Sequence, residues 1–145
     1  MGLDCSHDCY SGGYGTFNAW RAEVARVVGI PLELMEGFLR IPVEGEFDIS
    51  FLPDGSTPYT VPRISLPIKW ETLAPDPLLI LLSHSDCDGI IEAKDCGPIA
   101  DRLQKLLPMM PGADAPFRRN MQEVTQQFIN GLRQADAAGE DVQFG

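Results

Sequence analysis

Basic residues are scarce in this chain. Eleven lysines and arginines stand against 21 aspartates and glutamates, a formal net charge of −10. Binding to a nucleic-acid backbone depends on lysine and arginine neutralising phosphate, so direct DNA or RNA binding is not expected. The charge suits a basic protein partner, a bound cation, or a surface that imitates nucleic acid, and it also serves plain solubility. Long apolar runs are missing as well. The longest, Leu78 to Leu82, falls far short of the roughly 20 residues of a membrane-spanning helix. Met1 to Cys9 has neither a basic start nor a hydrophobic stretch, so no secretory signal is legible. A cytoplasmic protein with its four cysteines reduced is the expectation. The start MGLDCS places Gly2 and Ser6 as N-myristoylation requires, but no polybasic stretch stands beside it, and no membrane partner is expected. There is no CxxC pair, which removes the usual zinc-finger framework. The glycine-rich SGGYGTF at 11–17 lacks the lysine of a P-loop, so it reads as an ordinary way into a helix. Nothing in the sequence speaks to oligomeric state.

What is present fits one α+β domain over residues 1–145, with three to five helices and a short, irregular, mainly antiparallel sheet. Residues 3–6 suit a first strand. Phe17, Trp20, Val24, Val27 and Val28 recur at helical spacing and predict a helix over about 16–28 ending at Gly29, with Arg21, Glu23 and Arg26 off the apolar stripe. Pro31 suits the start of a second short helix carrying Leu32, Met35 and Leu39. Residues 41–77 hold seven prolines, and two strands are legible there by alternation: Phe47, Ile49, Phe51, and then Ile64, Leu66, Ile68, Trp70. Pro67 places the second at a sheet edge or bulge. The run PLLILLS at 77–83 suits a buried strand or a short helix equally. Ile99, Leu103, Leu106 and Leu107 mark another helix ending near Pro108. Met121, Val124, Phe128, Leu132 and Ala135 mark the clearest one, near 116–138, closed by Gly139. Val142 and Phe144 suit a last strand.

The stretch HSDCDGIIEAKD at 84–95 carries the main site hypothesis. An EF-hand loop wants oxygen ligands at its first, third and fifth positions, glycine at the sixth and an acidic residue at the twelfth. Those places hold His84, Asp86, Asp88, Gly89 and Asp95, with Glu92 available to complete a shell. Calcium or another divalent cation is the implied ligand. Imidazole at position one is a poor calcium ligand and a better one for zinc, manganese or iron. Pro98 would kink a helix leaving the loop near Ala93. The competing reading is a turn in which Asp86 and Asp88 accept backbone N–H bonds and Gly89 adopts a left-handed conformation. A second cluster, Asp4, Cys5, His7, Asp8 and Cys9, contains the chain's other histidine. If the first strand ran beside the loop, His7 and Asp8 would join His84, Asp86 and Asp88 on one metal or two, and such a site could activate water for hydrolysis.

The words MGLDCSHD, LPIKWETL at 66–73, HSDCDG at 84–89 and QFINGLRQA at 127–135 resemble a family of small uncharacterised proteins from bacteria and their phages. The resemblance spans most of the chain. It implies a cytoplasmic protein and carries no catalytic role onto any residue. Three functions therefore compete: a non-enzymatic binding or accessory factor with a protein partner and a cation-stabilised loop, a metal-dependent hydrolase using the His/Asp cluster, and a nucleic-acid-mimicking inhibitor.

Overall fold

The sequence SGGYG sets the first corner of the molecule. A computed structural model describes residues 2–41, 43–51, 59–73, 75–112 and 120–145. In it, β1 (Gly2–Asp4) pairs antiparallel with β2 (Ser11–Gly13), in the register Leu3 to Gly12. Strand β2 runs directly into helix α1 (Tyr14–Val28). Phe17, Trp20, Val24 and Val28 are buried, as their spacing predicts. Gly29 closes the helix in a left-handed conformation, φ 76°, donating its N–H to the carbonyls of Ala25 and Arg26. One residue departs from the pattern: Arg21, expected on the solvent side, is only 2% exposed. Its position lies on the buried stripe, four residues after Phe17 and three before Val24. The stripe's geometry prevails over the charge.

The segment after α1 corrects two expectations. Only a 3-10 turn, Leu32–Leu34, stands where a second helix was expected. Met35 is extended and fully buried because it bridges to Ile68, with Glu36 N–H donating to the Ile68 carbonyl and Ile68 N–H to that of Leu34, each at 2.8 Å. A backbone pairing between segments distant in sequence thus outweighs the local helical spacing. The hairpin exists, but its second strand sits earlier than alternation suggested. Strand β3 (Glu46–Phe51) pairs antiparallel with β4 (Tyr59–Ser65), so Ile68 and Trp70 lie beyond the ladder and Trp70 opens a 3-10 turn. Pro67 stops the strand by removing a donor. The turn-rich PDGSTP joining the strands lies outside the described residues.

The run at 77–83 resolves as helix α2 (Leu78–Leu82) with Pro77 at its N-cap. The acidic loop follows, then β5 (Ile90–Ile91), then α3 (Ala93–Leu106), which continues through Pro98. Helix α4 (Met121–Ala138) is capped by Asn120, whose side chain accepts the Glu123 N–H, and ends on left-handed Gly139, φ 66°. The expected start near 116 falls outside the described residues. Strand β6 (Val142–Gln143) pairs antiparallel with β5, and Phe144 bridges back to Cys5. The α+β class therefore stands, with four α-helices among the described residues and three separate two-stranded antiparallel sheets instead of one.

Helices α3 and α4 pack along each other and against α1 around one core. Its centre is aromatic: Trp20 lies 4.8 Å from Phe128 between ring centroids, and Phe17 meets Tyr10, Phe128 and Phe144. Trp20 Nε1 donates to Thr125 Oγ1 at 2.9 Å, which satisfies the polar edge of the indole inside the core. Gly131 lets α4 press against the 3-10 turn Ser6–Asp8. A methyl group there would stand 2.8 Å from both Cys9 Cα and the His7 carbonyl oxygen.

Candidate functional site

Arg21 anchors a cleft of about 850 Å³ lying between α1, the segment 29–40 and the turn 83–86. Its Nη1 donates to the carbonyls of Leu81, Leu82 and His84, at and beyond the end of α2. Its Nη2 donates to Asn18 Oδ1, and Asn18 Nδ2 in turn donates to Asp86 Oδ2 at 2.8 Å. The guanidinium carbon lies 4.7 Å from the Phe17 ring centroid and 5.4 Å from that of Phe38. Burial pushes the Arg21 guanidinium below its ordinary pKa, while the charge of Asp86 works in the opposite direction. Among the described residues Arg21 makes no ion pair with a carboxylate, and its Nε has no hydrogen-bond partner. The rim carries charge of both signs: Arg26 and Arg40, and Glu33, Glu36 and Asp86.

The residues predicted for the acidic loop do not come together. Both ring nitrogens of His84 face backbone carbonyls, Nδ1 at 2.8 Å from Ser85 O and Nε2 at 2.8 Å from Ile90 O, and the ring lies on Phe144 with centroids 4.1 Å apart. A neutral imidazole donates to one carbonyl and an imidazolium to both. In either form the ring is held by the loop's own backbone. Asp86 turns toward Asn18 and the cleft, while Asp88 is exposed. Gly89 has φ 93°, the left-handed bend that the turn reading requires. The backbone N–H bond at this turn goes to Ser85 Oγ from Cys87, not to Asp86 or Asp88 as expected. Glu92 is the N-cap of α3 and pairs with Lys94 at 3.6 Å, and Asp95 sits in the helix's first turn.

The N-terminal cluster is separate again. His7 has φ 58°; its Nδ1 lies 3.1 Å from Ser6 Oγ and its Nε2 3.5 Å from Glu140 Oε1. Asp8 is exposed, and its carbonyl accepts from Gln127 Nε2. Each histidine reaches the C-terminal tail, but His7 meets it at Glu140 and His84 at Phe144. Among the described residues, no three His, Cys, Asp or Glu side chains are grouped so as to hold a metal ion.

The cysteines form no disulfide. Burial, with a smaller contribution from Asp4, pushes the Cys5 thiol up to about 12. Burial, reinforced by Cys5, Cys96 and Asp8, does the same to Cys9, also to about 12. Cys96 rises to about 11, again mainly through burial, and a backbone hydrogen bond from Val142 partly opposes the rise. A thiol attacks as its thiolate, so these three are poor nucleophiles at neutral pH. Cys87 is the exposed one.

Helix α1, the 29–40 segment and the α2 turn thus define a small α+β protein with an open cleft of mixed charge. Comparison with protein families, curated proteins and solved structures finds no match. The sequence pointed to Asp86 and His84 and missed Arg21, Asn18, Glu33, Glu36 and Arg40. A signal for Arg21 was present in the helical spacing, which puts a charged residue in the middle of an apolar stripe.

Proposed function

We propose that the protein is a non-enzymatic binding protein whose cleft takes a small zwitterionic ligand. Its anionic group, a carboxylate or a phosphate, would face Arg21 and the rim arginines; its cationic group would face Glu33 and Glu36. The observation that carries this reading is the state of Arg21. Buried charges are ordinarily paired, because desolvation of an ion is costly. Arg21 is buried with neutral carbonyls and an amide as its direct partners, and Asp86 reaches it only through Asn18, so an anion entering the cleft would add a counter-charge in direct contact. The cleft volume lies within the range usual for small-molecule sites. Glu33 and Glu36 on the same rim would repel a simple dianion, making it a poorer fit.

Thermal shift with L-lysine, L-arginine, glutarate and inorganic phosphate, each at about 10 mM, tests the reading. The two amino acids should raise the melting temperature more than glutarate or phosphate. The exposed substitutions Arg40→Gln and Glu36→Gln should each shrink that rise while leaving the unliganded melt unchanged. Equal responses from parent and variants, or no response to any compound, would overturn the assignment.

A further inference from the structure

The hairpin β3–β4 stands apart from the helical body. It rests on the core through Ile64, with Ile49 and Val61 partly buried at its margin, and the other residues of 46–50 and 60–65 face solvent. Each strand pairs only with the other among the described residues, which leaves two outer edges. The edges are not alike. Strand β4 carries Pro62, which has no N–H to offer, and Arg63 in a left-handed conformation, φ 52°, held by its N–H to Asp48 Oδ1 at 3.0 Å. The register shifts at that point, so the edge of β4 is broken in a way that discourages further pairing. Strand β3 has none of these guards. No proline occurs from Val43 to Phe51. Beside its start, large apolar side chains are exposed: Ile41 at 74%, Val43 at 40% and Phe47 at 37%. Glu44, Glu46 and Asp48 are exposed along the same stretch.

We infer that the free edge of β3 docks an extended segment of a partner protein with basic and apolar residues in alternation, added as a third strand beside β3. Backbone pairing along an unguarded edge would supply affinity, and side chains at alternate positions would supply specificity. The acidic run Glu44, Glu46 and Asp48 selects the sign of the partner. The same run argues against a second copy of this chain. Each copy carries a net charge of −10, and two β3 edges side by side would bring like carboxylates together across the ladder.

The experiment uses the full chain and two acetylated, amidated peptides of equal charge, one alternating lysine with valine and the other lysine with proline. Fluorescence anisotropy reads binding, and amide hydrogen exchange reads where it occurs. The lysine–valine peptide should bind at least about tenfold more tightly than the lysine–proline peptide. It should also slow exchange along 46–51. The double substitution Glu44→Lys with Glu46→Lys, both at exposed positions, should abolish that preference without changing the melt. Equal binding of the two peptides would mean plain charge attraction and overturn the inference. Failure of either to bind would overturn it too, as would concentration-dependent dimers that protect 46–51 without peptide. The cleft between α1, residues 29–40 and residues 83–86 is read separately by the amino-acid thermal shifts, so failure here leaves that assignment standing.

Discussion

Four thiols in one small chain respond to solvent in two ways. Cys87 is exposed, whereas Cys5, Cys9 and Cys96 are enclosed between the N-terminal turn, α3 and α4. A thiol reagent should therefore label one cysteine rapidly in the native protein and all four after unfolding. Fast labelling of two or more in the native state would contradict the packing. The same burial predicts a pH dependence. An unfolded cysteine loses its proton near 8.5, while Cys5 and Cys9 in the folded chain keep theirs until about 12 and Cys96 until about 11. Between those limits the folded state binds more protons than the unfolded one, so stability is intact below about 8.5 and falls as pH rises. Each thiol contributes a slope of at most about 1.4 kcal/mol per pH unit. Denaturant unfolding from pH 8 to 10.5 should show this decline, and Cys96→Ala should flatten it. An identical slope in the variant would remove Cys96 from the account.

At the scale of elements, α4 depends on a contact that leaves no room. Gly131→Ala would set a methyl group against Cys9 and the His7 carbonyl, and relief requires α4 to move off the Ser6–Asp8 turn. Overpacking of this kind typically costs about 1–3 kcal/mol, so the melting temperature should fall clearly. The opposite expectation holds at Gly13, where an added methyl group meets nothing within 4 Å, and Gly13→Ala should melt close to the parent. The loop between α2 and α3 gives a further test. His84 is held by two backbone carbonyls and Asp86 by Asn18, so calcium at about 1 mM should leave the melt unchanged. A calcium-dependent rise lost in Asp86→Asn with Asp88→Asn would instead establish the loop as a cation site.

These elements also explain what could be read from the sequence. Helices α1 and α4 were legible because one buried face repeats over four or five turns, and Gly29 and Gly139 mark their ends. The region 29–73 was less so. Met35 and Ile68 choose an extended conformation because they bridge each other from 33 residues apart, and no local pattern announces a partner at that distance. The cleft was hidden for the same reason: its walls come from three separate segments. Asp86 and His84 stood out by composition, but what they face was decided by Asn18, Arg21 and Phe144.

At the scale of the whole molecule, residues 142–145 stitch residues 4–6 to the acidic loop. Gln143 N–H donates to Ser6 Oγ at 2.8 Å, Phe144 N–H to the Gly89 carbonyl at 2.9 Å, and Gly145 N–H to the Asp4 carbonyl at 3.1 Å. The ring of Phe144 also sits edge-on to Phe17 and covers His84. Without these bonds β5 would lose its partner strand, and the Asp4 and Gly89 carbonyls would lose these donors. With residues 142–145 detached, Phe17 and Ile91 would border a slot that another extended strand could enter. Segment 142–145 thus acts as a clasp, and any opening of it would offer the paired backbone of β5 to a wrong partner strand.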